Sequence, residues 1–143
     1  MTCKAIVLTC MDYRFVKLTH QNLKTLGYEK NYDVFVAAGA SLMYNDDDKS
    51  ENELENFKKV FEIHVDLAKK LHDVKEILII DHEDCGAYKE YYGDALNNIN
   101  EFAIHIMNTQ LSLKELQSKY PKIKVKIFYL RKSGELQIFH HFQ

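Results

Sequence analysis

The chain is poor in residues that interrupt structure. One proline and five glycines among 143 residues exclude a low-complexity or linker-rich polypeptide. Long apolar runs are missing as well. The longest unbroken run of large aliphatics is Ile77–Ile80, far short of the ~20 apolar residues of a membrane span, so no membrane partner is expected. The first residues carry one lysine and a short apolar stretch that Asp12 breaks, which is not the pattern of a secretory leader. No charge sign dominates. Lys+Arg number 19 against Asp+Glu 21, a net charge of −2, which argues against a broad nucleic-acid surface and its concentrated basic face. Cysteine is scarce and odd in number. Cys3, Cys10 and Cys85 fit a reducing, cytoplasmic setting and thiol or metal chemistry better than a disulfide framework. Several signatures are absent too: C-x-x-C, G-x-G-x-x-G, G-x4-G-K-[ST] and G-x-S-x-G. Cys10 to Arg14 is C-x3-R, too short for a phosphate-cradling C-x5-R loop.

What is present reads as one α/β domain over residues 1–143. A chain of this length can bury roughly 68–70% of the surface it exposes when unfolded, enough for a real core. Lys4–Thr9, Tyr32–Ala37, Lys75–Asp81 and Lys122–Leu130 are apolar and β-rich, and they read as strands. Ile77–Ile80 predicts a strand buried on both faces. Between them, helices are expected over Phe15–Leu26, over a segment with Leu54, Phe57, Phe61, Val65, Ala68 and Leu71, and over Asn98–Tyr120, where Ile99, Phe102, Ala103, Ile106, Leu113 and Leu116 form the expected apolar face. Gly27 and Pro121 mark helix ends, and Ser50 with Glu53 matches a capping box. Ser133-Gly134 predicts a hairpin turn into a last strand, Leu136–Phe139. Strictly alternating strands and helices predict a mostly parallel sheet flanked by helices, with a C-terminal hairpin strand. Ligands bind such sheets beyond the carboxyl ends of strands. Cys10 follows the first strand, Gly39 the second, and His82 and Cys85 the third, so these loops should meet at one edge.

Cys10-Met11-Asp12-Tyr13-Arg14 and His82-Glu83-Asp84-Cys85-Gly86 carry the chemistry. Two thiolates and an imidazole suit Zn²⁺. Three protein ligands leave a fourth position for water, whose pKa the metal lowers toward ~7. Arg14 can hold the Asp12 carboxylate by a two-pronged hydrogen bond and lower its pKa. Asp12 would then orient the attacking hydroxide; without Arg14 it would be free to swing onto the metal. Each piece alone has a plainer explanation. A lone buried cysteine is usually packing, H-x-x-C is weak by itself, and Asp12 with Arg14 is compatible with an ordinary surface ion pair. From spacing alone, metal site and packing stand side by side.

Taken together, C-M-D-Y-R after a first strand, a small-residue Ala38-Gly39 loop and H-E-D-C-G after a later strand resemble the β-class carbonic anhydrases. Residues Tyr129–Leu136 also resemble that family's last strand and hairpin. The resemblance implies zinc held by Cys10, His82 and Cys85, an Asp12–Arg14 dyad, a substrate pocket drawing on Gly39, Ala40 and Leu42, and hydration of carbon dioxide to bicarbonate by homodimers or larger homo-oligomers. It also implies two alternatives: a hydrolase of carbon disulfide or carbonyl sulfide, or a non-catalytic zinc-binding homologue serving as a structural or interaction module. There are departures. Val36-Ala37 stand where the family often has Arg-Asn, and nine residues precede Cys10, too few for the helical arm many members wrap around a partner. Residues Asn45–Glu53 look like an insertion, and the stretch between Cys85 and the final strand looks shortened. Asp81 stands where Gly or His is common, as an acceptor for the His82 ring or a strand-end charge. Tyr13 is larger than the usual residue and would narrow the pocket. No proton carrier stands out: His64, His72 and His105 read as exposed helix positions, and His140 and His141 as strand end or tail.

Overall fold

The computed structural model describes residues 1–46 and 51–141. Five strands form one sheet: β1 (Ala5–Thr9), β2 (Tyr32–Val36), β3 (Glu76–His82), β4 (Lys124–Leu130) and β5 (Leu136–His141). Their order is β2-β1-β3-β4-β5. The first four run parallel, and β5 returns antiparallel along β4. Among the described residues, four α-helices lie between them: α1 (Val16–Thr25), α2 (Glu51–His72), α3 (Gly86–Tyr92) and α4 (Glu101–Lys119). The expected alternation holds, and so does the hairpin: Arg131 N–H donates to the Glu135 carbonyl, and Gly134 takes the positive φ (95°) that the turn requires. The proposed Ser50–Glu53 capping box involves a residue outside the described ones.

Side chains alternate along the parallel strands, so each strand feeds two cores. Ile6, Leu8, Ile77, Ile79, Val125 and Ile127 face one way, toward Phe61, Val65 and Ala68 of α2 and Leu116 of α4. Ala5, Val7, Leu78, Ile80, Phe128 and Leu130 face the other way, toward Phe15 and Leu23 beside and within α1. Ile77–Ile80 are all buried, as a central strand covered on both faces must be.

Two sequence expectations are corrected here. Helix α3, in the stretch Gly-Ala-Tyr-Lys-Glu-Tyr-Tyr, was not expected; at two turns it is too short to show a periodicity. The buried face of α4 is polar rather than apolar. Glu101, His105, Asn108, Thr109 and Ser112 are buried with Leu116, while Ile99, before the helix, is 93% exposed.

Candidate active site

Register brings the two motifs together. Thr9 pairs with Ile80 in the β1–β3 ladder, so Cys10 emerges beside the last residues of β3, of which His82 is the end. The chain then turns through Asp84, whose φ of 59° reverses it, and delivers Cys85 at the entry to α3. As a result, ligating atoms of Cys10, His82 and Cys85 lie within 4.8 Å of one another. His82 and Cys85 are buried and Cys10 is half-buried.

The environment of each ligand fits a metal ion. His82 Nδ1 donates to the Glu83 carbonyl at 2.8 Å, which leaves Nε2 as the free lone pair. That Nε2 is buried and has no hydrogen-bond partner, an arrangement costly unless something else binds it. Phe15 stacks on the imidazole at 4.1 Å and fixes its plane. The Gly39 N–H donates to Cys10 Sγ at 3.4 Å. The hydrogen bond from Cys85 draws the Cys10 thiol well below its ordinary value, and His82 and Gly39 add to this against the cost of burial. Cys10 and burial push Cys85 the opposite way. A divalent cation held between the two sulfurs would displace the remaining thiol proton. Soft sulfur with imidazole is the donor set of zinc.

Asp12 and Arg14 stand at the rim. Arg14 Nε donates to Asp12 Oδ1 and Oδ2 at 3.1 and 3.2 Å, and Nη2 donates to Oδ2 at 2.7 Å. Arg14 Nη1 and Nη2 also reach the Asp84 carboxylate and carbonyl, both at 2.9 Å. The guanidinium therefore joins the first motif to the second. Its hydrogen bonds hold the Asp12 carboxyl below the usual range. Asp12 Oδ2 lies 3.8 Å from His82 Nε2, at the margin of the ligand cluster.

Above these residues opens a cleft of about 890 Å³, mostly apolar, lined by Cys10, Asp12, Arg14, Leu42, Leu54, Phe57 and Ala87 among others. Tyr13, 86% exposed, stands at its mouth. The Ala-Gly loop contributes Ala38 and Leu42 to the lining, not Gly39 and Ala40. Gly39 (φ 81°) and Ala40 (φ 45°) make a left-handed turn that buries the Ala40 methyl in the core. A Cβ on Gly39 would meet Leu42 Cβ at 2.8 Å, so this residue fixes the loop.

Behind the ligands lies a buried polar network that the sequence did not reveal. Asp81 does not touch the His82 ring and is no strand-end surface charge. It is buried, and it accepts from Ser41 N and Oγ at 3.1 and 2.5 Å, from Tyr88 Oη at 3.2 Å and from His105 Nδ1 at 2.6 Å. His105 is fully buried, not exposed; Tyr88 stacks on it at 3.8 Å. Its Nε2 is 3.5 Å from Glu101 Oε2. Burial works against the charged imidazole, yet the Asp81 and Glu101 carboxylates raise its pKa. Glu101 accepts the backbone N–H groups of Asp84 and Cys85 at 3.0 and 3.1 Å. One histidine thus ties the Ala-Gly loop, the end of β3 and the Cys85 turn to α4. The spacing of Glu101, His105, Asn108 and Ser112, a polar stripe at helical period, was the available signal. Of the other histidines, His64 is exposed as expected, whereas His72 is half-buried.

A family model described as "Putative carbonic anhydrase" matches residues 1–140. The chain belongs to this family. Curated relatives include uncharacterised proteins of Rickettsia conorii, 29% identical over 134 residues (92% of this chain, 69% of the relative), and Rickettsia bellii, 26% identical over 134 residues (92% and 79%). Among solved structures, the fold is similar to a carbonic anhydrase from Glaciozyma antarctica (TM-score 0.57, 13% identity, 95% of this chain and 81% of that one). It is also similar to tetrameric β-carbonic anhydrases of Sordaria macrospora (TM-score 0.56, 15% identity, 96% and 81%). The chain therefore has a β-carbonic-anhydrase-like fold.

Proposed function

We propose that this family member is a zinc-dependent carbonic anhydrase that hydrates carbon dioxide reversibly to bicarbonate in the cytoplasm. The observation carrying the reading is the convergence of Cys10, His82 and Cys85, one with an orphaned Nε2, beneath a cleft whose rim holds the Asp12–Arg14 clamp. When bound, zinc supplies Lewis acidity, which makes water nucleophilic near neutral pH. The residues of the chain do the rest. Asp12, kept ionised by Arg14, presents an oxygen beside the ligand cluster and orients the nucleophile through a hydrogen bond. Arg14, anchored also on Asp84, keeps that carboxylate from drifting inward. Leu42, Leu54, Phe57 and Ala87 offer a small apolar substrate a dry wall.

A homodimer or larger homo-oligomer belongs to this proposal. Helix α2 buries Leu54, Phe61, Val65 and Ala68, yet a second, adjacent arc of Phe57, Val60, Ile63, Leu67 and Leu71 remains 43–58% exposed. Phe57 also lines the cleft. A second copy seated on this arc would complete the cleft wall.

The test is metal content and turnover in paired variants. Cys10→Ser should lose most of its zinc; Asp12→Ala should keep zinc and lose at least about 100-fold in turnover, the scale expected when a reacting group is left unoriented. Full zinc retention in Cys10→Ser would remove the ligand set. Unchanged turnover in Asp12→Ala would remove its role. Zinc retention without hydration would favour the sulfur-compound hydrolase or the non-catalytic module, although a purely structural ion needs no Asp12–Arg14 clamp.

A further inference from the structure

A second group of ligating side chains lies at the opposite end of the sheet. Cys3 stands just before β1, Asp33 is the second residue of β2 and His72 is the last residue of α2. One ligating atom from each lies within 4.8 Å of the others, and all three residues are half-buried. Among the described residues, this and the Cys10–His82–Cys85 group are the two such clusters of histidine, cysteine and carboxylate. Seven residue-to-residue steps of nearly extended chain separate Cys3 from Cys10, about 23 Å at roughly 3.3 Å per step. The two groups cannot share an ion.

The backbone fixes all three positions. Cys3 N–H donates to the His72 carbonyl at 3.0 Å, so two of the residues are tied directly together. Asp33 is registered opposite Ile6 in the β1–β2 ladder. His72 Nδ1 lies 2.7 and 3.0 Å from the two Asp33 oxygens. Ring and carboxylate alone would be an ordinary half-exposed pair. The Cys3 thiol, which donates to the Ala5 carbonyl at 3.6 Å, is the third member of the group. Its sulfur sits against a carboxylate, and the residue packs against the core. A cation between sulfur and carboxylate attracts both. Ligand bonds of ~2.0–2.3 Å in tetrahedral geometry place ligating atoms about 3.3–3.8 Å apart, so this cluster needs only small side-chain adjustments.

We infer that Cys3, Asp33 and His72 form a second divalent-metal site, suited to a borderline-soft ion such as Zn²⁺, with solvent in the remaining position. Thiolate and imidazole donors exclude Mg²⁺ and Ca²⁺, which take oxygen ligands. Binding releases the Cys3 proton to solvent. An ion there clamps the start of β1 to β2 and to the end of α2, remote from the candidate active site. The inference does not depend on the carbonic anhydrase reading.

The probe is Co²⁺, titrated into the reduced, metal-stripped full chain and followed by its sulfur-to-cobalt absorption. The wild type should take up two equivalents, and Cys3→Ser and His72→Ala one each. A Cys10→Ser, Cys85→Ser double variant should still bind one ion, with a thiolate band that disappears when Cys3→Ser is added. If the double variant fails to fold, the comparison of wild type with Cys3→Ser decides alone. One equivalent in the wild type, with stoichiometry and band unchanged in Cys3→Ser, would overturn the site. Occupancy of the Cys10 cluster is read separately, as the equivalent that remains in Cys3→Ser.

Discussion

At the scale of single residues, charge is placed where a partner already waits. Glu76 at the start of β3 accepts from Tyr28 Oη at 2.5 Å and pairs with Lys126 Nζ at 2.6 Å. Burial raises its pKa, but Lys126 and Tyr28 more than offset this, and the net shift is downward from 4.5. A carboxylate with a depressed folded pKa stabilises the native state above its unfolded value and loses that contribution as pH falls through the folded one. Glu76→Gln should therefore cost about 1.5–3 kcal/mol at neutral pH, the scale of a hydrogen bond to a charged group. The gap between its urea midpoint and that of the wild type should shrink as pH drops below about 4.5. A gap constant from pH 7 to pH 3 would contradict the assignment. The candidate ligands were legible in the sequence for a related reason. Cys10 and Cys85 follow strands and His82 ends one, and strand ends are the positions that a parallel sheet forces together. His105 was harder to read: the polar stripe it shares with Glu101, Asn108 and Ser112 was the available signal, and a solvent-facing stripe has the same spacing.

At the scale of elements, two helices depart from simple amphipathicity. Helix α4 turns Glu101, His105 and Asn108 inward, so its apolar residues misreport its buried face. Most groups of the polar stripe are paired: His105 Nδ1 with Asp81, Asn108 with Tyr88 and Tyr92, and Glu101 with the Cys85 turn, while His105 Nε2 makes no hydrogen bond and lies 3.5 Å from Glu101. His105→Ala should cost about 3–5 kcal/mol, since it strands two buried carboxylates. It should also weaken metal retention by loosening the turn that carries Cys85. Equilibrium unfolding and metal content check both, and a loss below 1 kcal/mol would argue against a coupled network. Helix α2 departs the other way, with apolar residues on two adjacent faces and charge on the remainder. Phe57 and Leu71 were read with Leu54, Phe61, Val65 and Ala68 as one apolar spacing, because two arcs at one period blur into a single broad stripe in a linear sequence. Phe57 and Leu71 are 43% and 58% exposed. Leu67→Glu, on the exposed arc, should shift the sedimenting species toward monomer while leaving the helix content unchanged. An unaltered oligomer would place the interface elsewhere.

At the scale of the whole molecule, strand alternation and a C-terminal hairpin were readable because parallel strands buried on both faces have a plain apolar signature. The helix after Cys85, the inward polar face of α4 and the two-sided α2 were not, because each is defined by what packs against it. The assembled chain has a β-carbonic-anhydrase-like sheet whose loops from β1 and β3 gather three candidate ligands, an Asp–Arg clamp and an apolar cleft at one edge. The central claim is that this edge hydrates carbon dioxide through an ion held by Cys10, His82 and Cys85. Stopped-flow carbon dioxide hydration at mildly alkaline pH, on zinc-loaded protein with Cys10→Ser as control, tests it most directly. The account predicts turnover well above the buffer rate that vanishes in the control. Zinc-loaded protein with no hydration, or equal hydration in Cys10→Ser, would contradict it.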